Sequence, residues 1–186
     1  MSSREDVLVN GERRLFYLSS EVGNNTIGKL NFWLLSLIQE DDEREAKEKD
    51  FIRKPIKIYV NSFGGSIYDM WSLIDIITNS KTPIHTYCTG YAMSAACKIF
   101  LAGHKRFISK HATLLYHQMG CMSNGTYQDV VENMEQMTYL QNMIEEFVSS
   151  KTKMTKDELK RIRENKIDYY IHPEDAVKLG FADEII

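Results

Sequence analysis

The sequence is poor in the features that mark several large classes of protein. Three prolines and ten glycines in 186 residues leave little room for a flexible linker, and no internal repeat is present. No apolar run approaches the roughly 20 residues that a membrane helix needs, and the charged N-terminus lacks the apolar segment of a secretory signal. We therefore expect no membrane association, and the length suits one domain around one core.

Charge and cysteine content exclude further classes. Lys and Arg number 23 against 26 Asp and Glu, a formal charge of −3, so nothing points to nucleic acid as a partner. Cys88, Cys97 and Cys121 form neither an even set nor a C-x-x-C spacing, so we expect neither a disulfide framework nor a metal site. Reduced thiols favour a cytoplasmic location. No phosphate-binding glycine motif is present, and we expect no cofactor.

Strand-like and helix-like segments alternate from residue 15 onward. This alternation predicts an α/β fold with a mostly parallel twisted sheet that is flanked by helices. Residues 1–14 are polar and are expected to form an N-terminal arm, followed by a single domain over residues 15–186. The mixed charge run at residues 40–50 is interpreted as a solvated helix extension or a loop.

Capping signals mark the start of two predicted helices. Thr26 is expected to cap a helix that runs to about Gln39. The pair Thr126 and Asp129 resembles a capping box at the start of the longest helix, about residues 126–150. A helix of this length need not pack wholly inside a domain of this size. Its methionines suit either gaps in the core or an adaptable contact between subunits.

A serine stands where a strand is expected to end and a helix to begin. An apolar strand over residues 84–88 leads to Gly90 and Ser94, and a short helical pattern follows over residues 95–102. A nucleophile elbow has this arrangement, with its hydroxyl exposed beside free backbone N–H groups. The alternative is that Ser94 only caps the helix, and the stretch taken alone favours the cap.

Two further groups are expected at the same edge of the sheet, because parallel strands deliver their carboxyl ends to one crevice. His117 closes an apolar strand and could act as the base that a serine hydroxyl needs. The pair Gly64 and Gly65 could leave backbone N–H groups uncovered, or could be an ordinary tight turn.

The sequence also offers candidates for the remaining parts of a serine site. Asp168 is flanked by apolar residues, unlike the aspartates of the charge run, and could orient an imidazole. The backbone N–H groups of Ala95 and Gly65 could stabilise an oxyanion, a role for which one donor typically contributes about 10²- to 10³-fold in turnover.

Five segments resemble, in order and spacing, the proteolytic subunit of Clp protease. Four of them have the sequences NSFGGS, GYAMSA, LAGHKRF and LYHQ. The fifth is a C-terminal signature at residues 167–171 and 174–183, and the match covers about residues 14–186. The resemblance implies a crotonase-like fold and a serine endopeptidase. It also implies that Ser94 is the nucleophile, His117 the base and Asp168 the orienting acid, with oxyanion donors at Gly65 and Ala95.

The resemblance also implies an assembly and a mode of substrate binding. The helix at about residues 126–150 would be a handle that interlocks two heptameric rings of this homo-oligomer into a closed tetradecamer. A peptide or unfolded protein would lie extended in the site, where main-chain pairing gives low sequence selectivity. The residues expected to contact it are Gly64, Ser66, Ile67, Gln118 and Met119.

The sequence departs from the family pattern in three places. Phe63 stands where a proline usually precedes the glycine pair, and Met119 replaces the proline after His-Gln. About a dozen residues precede the first strand, where the family has a helix and an axial loop that contact the ATPase. We therefore expect the chemistry more than a partnership with an AAA+ unfoldase. A virus-encoded capsid-maturation peptidase of Clp type, acting without an ATPase, would fit these departures.

Other functions fit parts of the sequence. An acyl-CoA hydratase or thioesterase of the same fold would use the same two N–H groups, but needs an adenine pocket and usually a carboxylate base, and we locate neither in the sequence. A non-catalytic scaffold subunit is a third possibility. A thiol nucleophile at Cys97 or Cys121 is a fourth.

Overall fold

Eight strands and six helices make up the part of the chain that the computed structural model describes, residues 7–10 and 14–186. The strands are β1 (Val7–Asn10), β2 (Leu15–Leu18), β3 (Ile56–Ser62), β4 (Ile84–Met93), β5 (Lys105–Ile108), β6 (Thr113–Tyr116), β7 (Tyr169–Ile171) and β8 (Glu184–Ile185). The helices are α1 (Asn24–Lys47), α2 (Ile67–Asn79), α3 (Ala95–Ala102), α4 (Tyr127–Lys151), α5 (Lys156–Glu164) and α6 (Pro173–Leu179).

A single sheet contains all of these described strands, and most of its pairings are parallel. The parallel path runs from β2 through β3, β4 and β5 to β8. A branch leaves it at β4, which also pairs with β6 in parallel, and β6 pairs with β7 antiparallel. Parallel neighbours need crossover connections, and the helices supply them. The predicted α/β fold with a mostly parallel, helix-flanked sheet is therefore confirmed.

The core forms where the sheet meets α1, α2 and α3. Along β3, the side chains of Ile56, Ile58 and Val60 are fully buried and alternate with more exposed neighbours, as the period of two in a strand requires. All eight residues of α3 are buried, so this helix runs through the interior. Among the described helices, none is long and apolar enough to cross a membrane.

Helix α1 is longer at both ends than predicted. Its N-cap is Gly23, whose carbonyl accepts the first helical hydrogen bond from Ile27 N at 2.8 Å. Thr26 lies buried inside the first turn, so the prediction that Thr26 caps the helix is wrong. Of the two interpretations offered for the mixed charge run, helix extension holds as far as Lys47.

One carboxylate of the charge run is buried rather than solvated. Asp41 is 1% exposed and accepts two hydrogen bonds from Arg14, at 3.0 and 2.6 Å, and one from the Thr82 hydroxyl at 2.7 Å. Arg53 also donates to Thr82, at 3.0 Å. Burial acts to raise the pKa of Asp41, but the hydrogen bonds from Arg14 and Thr82 bring it below its ordinary value. These four residues, here named the Asp41 cluster, tie α1 to the segments before β2, β3 and β4.

The N-terminal region contains a strand that the sequence analysis counted as part of the arm. Strand β1 pairs antiparallel with β2, with Val7 opposite Leu18. The rest of the predicted arm up to Arg14, residues 1–6 and 11–13, lies outside the described residues. The division of the chain into an arm and one domain stays a prediction.

Helix α4 begins as its capping signals predicted. Thr126 Oγ1 accepts from Asp129 N at 3.3 Å, and the Asp129 carboxylate accepts from Thr126 N at 2.8 Å. The buried residues of α4 all lie in its second half, from Leu140 onward. The first half therefore lies on the surface of the monomer.

Candidate active site

Ser94 occupies the junction between β4 and α3 in a strained backbone conformation. Its φ of 52° and ψ of −123° lie where residues with a side chain are rarely found. It holds the N-cap position of α3, but its side chain makes no capping hydrogen bond, so the alternative that Ser94 only caps the helix is wrong. Strain at a sharp strand-to-helix turn is typical of a nucleophile elbow.

Gly64 allows the loop between β3 and α2 to lie directly against this turn. Its φ is 102°, and a Cβ at this position would come within 2.7 Å of Met93 O, 2.8 Å of Ser94 Cβ and 2.9 Å of Ala95 N. A residue with a side chain would meet both the unfavourable φ and these contacts. Gly64 thus approaches the Ser94 turn closely, and a Cβ on Gly65 would instead meet the backbone of Val22, so the pair is not an ordinary tight turn.

The backbone of Gly65 is held along one edge by Val22. Val22 N donates to Gly64 O at 2.8 Å, and Ser66 N donates to Val22 O at 2.7 Å. Because neighbouring residues of an extended chain direct their backbone groups to opposite edges, the N–H of Gly65 points away from Val22. Among the described hydrogen bonds, neither this N–H nor that of Ala95 has an acceptor. Both residues line one cavity.

His117 directly follows β6, and Asp168 directly precedes β7. The antiparallel register pairs Tyr116 with Tyr169, and a continuation of this register by one residue would set His117 against Asp168. Residues paired in this way have Cβ atoms about 4.5–5.5 Å apart. Burial and the charge of Lys98 lower the pKa of His117, whereas the charge of Asp168 acts to raise it.

Strand β6 also brings Ser94 to this strand end, because its other edge pairs with β4. The parallel register joins Met93 to Leu115, and Ser94 N donates to Leu115 O at 3.0 Å. Ser94, His117 and Asp168 therefore adjoin the ends of three neighbouring strands. Within the described part of the chain, no hydrogen bond joins the three side chains, so the fold gathers these groups without linking them directly.

A cavity of about 270 Å³ opens beside Ser94. Of the predicted substrate-binding residues, Ser66, Ile67 and Met119 line it. Gly64 lines a separate cavity with Phe63 and Tyr91. His117, Asp168 and Gln118 are not among the residues that line the cavity beside Ser94, so the cavity adjoins Ser94 rather than His117 or Asp168.

Two residues of this site were missed in the sequence. Gln141 of α4 accepts a hydrogen bond from Met119 N at 3.0 Å and so holds the loop that follows β6. Lys98 of α3 lines the cavity although it is only 3% exposed, and burial lowers its pKa to about 8. The available signal was a lysine inside the otherwise apolar run Ala95–Ala102.

The cysteines are all free thiols. Burial raises the pKa of Cys97 to about 11, which disfavours the thiolate that a cysteine nucleophile requires. Cys121 is exposed and lines the cavity beside Ser94. Within residues 7–10 and 14–186, no group of three or more His, Cys, Asp or Glu residues is arranged to hold a metal ion.

Comparison with known proteins identifies the family of this chain. The family model for Clp protease matches residues 12–186. The chain is 28% identical over 175 residues to ATP-dependent Clp protease proteolytic subunit 1 of Prochlorococcus marinus subsp. pastoris, covering 93% of this chain and 83% of the relative. Proteolytic subunit 4 of Rhodococcus jostii is also 28% identical over 175 residues, with 93% and 84% covered.

A more distant relative extends the same result. The ATP-dependent Clp protease proteolytic subunit of Deinococcus radiodurans is 25% identical over 175 residues, covering 93% of this chain and 80% of the relative. The mostly parallel, helix-flanked sheet agrees with the crotonase-like fold of this family. Because the family model spans nearly the whole chain, this protein belongs to the Clp protease family and is a serine-type peptidase.

Proposed function

We propose that this protein is a serine endopeptidase that cleaves peptides or unfolded proteins through Ser94, His117 and Asp168. The observation that carries the proposal is the position of β6 between β4 and β7, with registers that align the strand ends next to these residues. A serine proton is held too tightly at neutral pH, so the hydroxyl needs a base. An imidazole in turn needs a carboxylate that fixes its tautomer. The order of the strands β4, β6 and β7 supports a triad in which His117 acts between Ser94 and Asp168.

The first half of the reaction forms an acyl-enzyme. His117 takes the proton of Ser94 Oγ while this oxygen attacks the carbonyl carbon of the scissile peptide bond. The carbonyl oxygen becomes an oxyanion that accepts hydrogen bonds from the N–H groups of Gly65 and Ala95. The C–N bond then breaks, and His117 gives its proton to the leaving amine.

The second half releases the product. His117 takes a proton from a water molecule, whose oxygen attacks the acyl carbon, and the bond to Ser94 Oγ breaks as the proton returns to that oxygen. The products are a peptide with a new carboxyl end and the free enzyme. Asp168 stabilises the imidazolium that forms in each half.

Substrate is expected to bind in an extended form along the loop between β3 and α2. Val22 occupies one edge of Gly65 and leaves the opposite edge, with its C=O and N–H, available for pairing. This geometry supports the predicted substrate contacts, which are Gly64, Ser66, Ile67, Gln118 and Met119.

The same proposal includes a homo-oligomer. Large apolar side chains are exposed on α1, at Phe32, Trp33 and Leu35, and on the first half of α4, at Val130 and Met134. Exposed apolar surface of this kind marks contacts between proteins, and the relatives are named as subunits. Heptameric rings interlocked by α4 are the specific form that we propose, and native mass spectrometry would test it. The names of the relatives include ATP dependence, but a partnership of this chain with an AAA+ unfoldase stays a prediction.

Labelling with a fluorophosphonate probe tests the nucleophile. We expect covalent labelling of the parent protein, loss of labelling in Ser94→Ala, and full labelling in Ser72→Ala, which changes an exposed serine of α2. Labelling of Ser94→Ala at the parental rate would contradict the assignment. Inactivation by iodoacetamide but not by the serine probe would favour Cys121. Turnover of acyl-CoA without peptide hydrolysis would replace the peptidase by the acyl-CoA alternative.

A further inference from the structure

Lys98 is a buried charged residue without a charged partner. It is 3% exposed, and among the described residues no ion pair or hydrogen bond reaches its Nζ. The contact that Nζ does make is with the ring of Tyr116, whose centroid lies 4.7 Å away. A cation–π contact contributes about 0.5–2 kcal/mol, whereas burying an ammonium group costs several kcal/mol. The cost of burying Lys98 is therefore only partly offset.

Among the residues that the structure describes, no unpaired carboxylate near Lys98 could neutralise it. Glu145 lies on α4, which packs against α3, but its carboxylate already forms an ion pair with Arg163, whose Nε is 3.3 Å away, and accepts a hydrogen bond from Gln141 Nε2 at 2.9 Å. His117, whose pKa is lowered by the charge of Lys98, carries no negative charge and cannot neutralise an ammonium group. A group that neutralises the ammonium must therefore come from outside this part of the monomer.

The cavity beside Ser94 gives such a group access to Lys98. Lys98 follows Ser94 by four residues, so both lie on one face of the α3 turn, and both line the cavity of about 270 Å³. This volume is just below the roughly 300–1,000 Å³ of pockets for drug-sized ligands and suits a single side chain. Among the described residues that line the cavity, Lys98 alone carries a formal charge at neutral pH. Most of the other walls are apolar, formed by Met70, Met119, Met122, Met137, Leu140 and Ile144.

We propose that Lys98 makes this cavity a binding site for an acidic substrate side chain, that of the residue whose carbonyl is attacked by Ser94. A carboxylate in the cavity would pair with the ammonium group in surroundings that contain little water, where the attraction is stronger than at the surface. The methylene groups of a glutamate would contact the methionines, which adapt to the shape of their partners. This inference rests on the proposed function, because it assigns the specificity of the same site.

The protonation state of Lys98 agrees with this role. Burial lowers its pKa to about 8, so the ammonium form still predominates at neutral pH. A bound carboxylate would favour that form further.

Hydrolysis of matched fluorogenic peptides tests the proposal. The peptides differ only in the residue before the fluorophore, which is Glu, Gln or Leu. We expect kcat/KM to be about 10- to 100-fold higher for Glu than for Gln, the effect of one hydrogen bond between charged groups. Lys98→Met replaces the ammonium by an apolar chain of similar length, and we expect it to reverse the order, so that Leu is cleaved faster than Glu.

A second lysine offers a matched control. Lys151 also lies over an aromatic ring, that of Phe147 at 5.9 Å, but it does not line the cavity. Lys151→Met should keep the parental preference for Glu. Equal kcat/KM for Glu and Gln in the parent, or a preference for Glu that survives Lys98→Met, would overturn the proposal. An equal loss on all three peptides in Lys98→Met would also overturn it, since Lys98 would then act on Ser94 or on the fold.

Binding measurements separate this inference from the proposed function. Fluorescence anisotropy on Ser94→Ala would compare peptides that end in Glu-amide and Gln-amide. We expect binding about tenfold tighter for Glu, and no difference in Ser94→Ala/Lys98→Met. If this difference is present but the parent hydrolyses no peptide, the proposed function fails and the cavity assignment stands. If the parent hydrolyses the Leu peptide and neither assay distinguishes Glu from Gln, the assignment fails and the proposed function stands.

Discussion

Asp41 and Lys98 are both buried charged residues, but their surroundings are opposite. Asp41 is 1% exposed and is saturated by Arg14 and Thr82. Lys98 is 3% exposed and, among the described residues, has only the face of Tyr116 and an open cavity beside it. A buried charge is tolerated cheaply only when it is paired and hydrogen-bonded.

The difference separates a structural charge from a functional one. The Asp41 cluster joins α1 to segments that are distant in sequence, and its partners come from the chain itself. Lys98 lies four residues from Ser94, whose backbone is strained at a φ of 52°. The strained backbone of Ser94 and the buried charge of Lys98 therefore lie at the same cavity. Local energetic costs of this kind are typical of sites that bind a ligand or carry out a reaction. Asp41 and Lys98 are buried to a similar extent, so the partners of a buried charge, rather than its burial, indicate its role.

The largest expected effect is the loss of peptide hydrolysis on substitution of Ser94, the strained residue beside Lys98. Ser94→Ala should lower kcat for peptide hydrolysis by about 10⁴- to 10⁶-fold, because it removes the proposed nucleophile. The free energy of unfolding should stay within about 0.5 kcal/mol of the parent, since the hydroxyl makes no capping bond. Peptide assays and urea unfolding would measure both quantities, and activity within tenfold of the parent would contradict the role of Ser94.

Substitution of Asp41, the paired buried charge, is expected to lower the stability of the protein. Asp41→Asn should lower the free energy of unfolding by about 3–5 kcal/mol, because it breaks a buried ion pair and leaves the Arg14 guanidinium poorly matched. Asp42→Asn is the matched control: this carboxylate is exposed, although it also pairs with an arginine, and its loss should cost about 1 kcal/mol or less. Urea unfolding of both variants measures the contrast. Equal losses of unfolding free energy in the two variants would show that the burial of Asp41 does not strengthen its ion pair.

Removal of the unpaired charge should stabilise the protein. At neutral pH, Lys98→Met is expected to raise the free energy of unfolding by about 1–3 kcal/mol, since an apolar chain replaces a buried ammonium group. Burial lowers the pKa of Lys98 from 10.5 to about 8. Between these values the unfolded state binds more protons, so the parent regains stability as the pH rises. The gain in Lys98→Met should therefore shrink from pH 8 to 10.5.

Urea unfolding of the parent and Lys98→Met at several pH values would test this sign. The contribution of other groups, such as Cys88, whose pKa burial raises to about 12, largely cancels in the difference between the two proteins. A gain that stays constant from pH 7 to 10.5 would show that Lys98 carries no buried charge.

The smallest effect is expected on the pH dependence of catalysis. Burial and the charge of Lys98 lower the pKa of His117, and Asp168 opposes them. The base must be neutral, so the acid limb of kcat/KM should lie below the ordinary histidine value of about 6.5. Lys98→Met should move this limb to higher pH, and Asp168→Asn should move it to lower pH, each by about one unit or less. Rates on the Leu peptide from pH 4.5 to 8 would measure both shifts, and shifts of the same sign would contradict the arrangement.

The sequence identified much of this site because its signals are local. A serine between an apolar strand and a small-residue helix suited both a nucleophile elbow and a helix cap, and the φ of Ser94 favours the elbow. A threonine three residues before an acid predicted the start of α4. The helical cap at Thr26 was wrong because Gly23, three residues earlier, starts the helix first. Signals of this kind depend on neighbouring residues, so they can be read from a single chain.

The sequence by itself thus determined the alternation of strands and helices, the family and the candidate residues. Only the tertiary structure decided which of them meet. The pairing of Tyr116 with Tyr169 brings together the chain segments that carry His117 and Asp168, and the packing of α1 buries Asp41 while Asp42 stays exposed. The tertiary structure also places Lys98 in the wall of a cavity. Periodicity specifies the face on which a side chain lies, but the partner on that face comes from a distant segment, and its position follows from the packing of the whole chain.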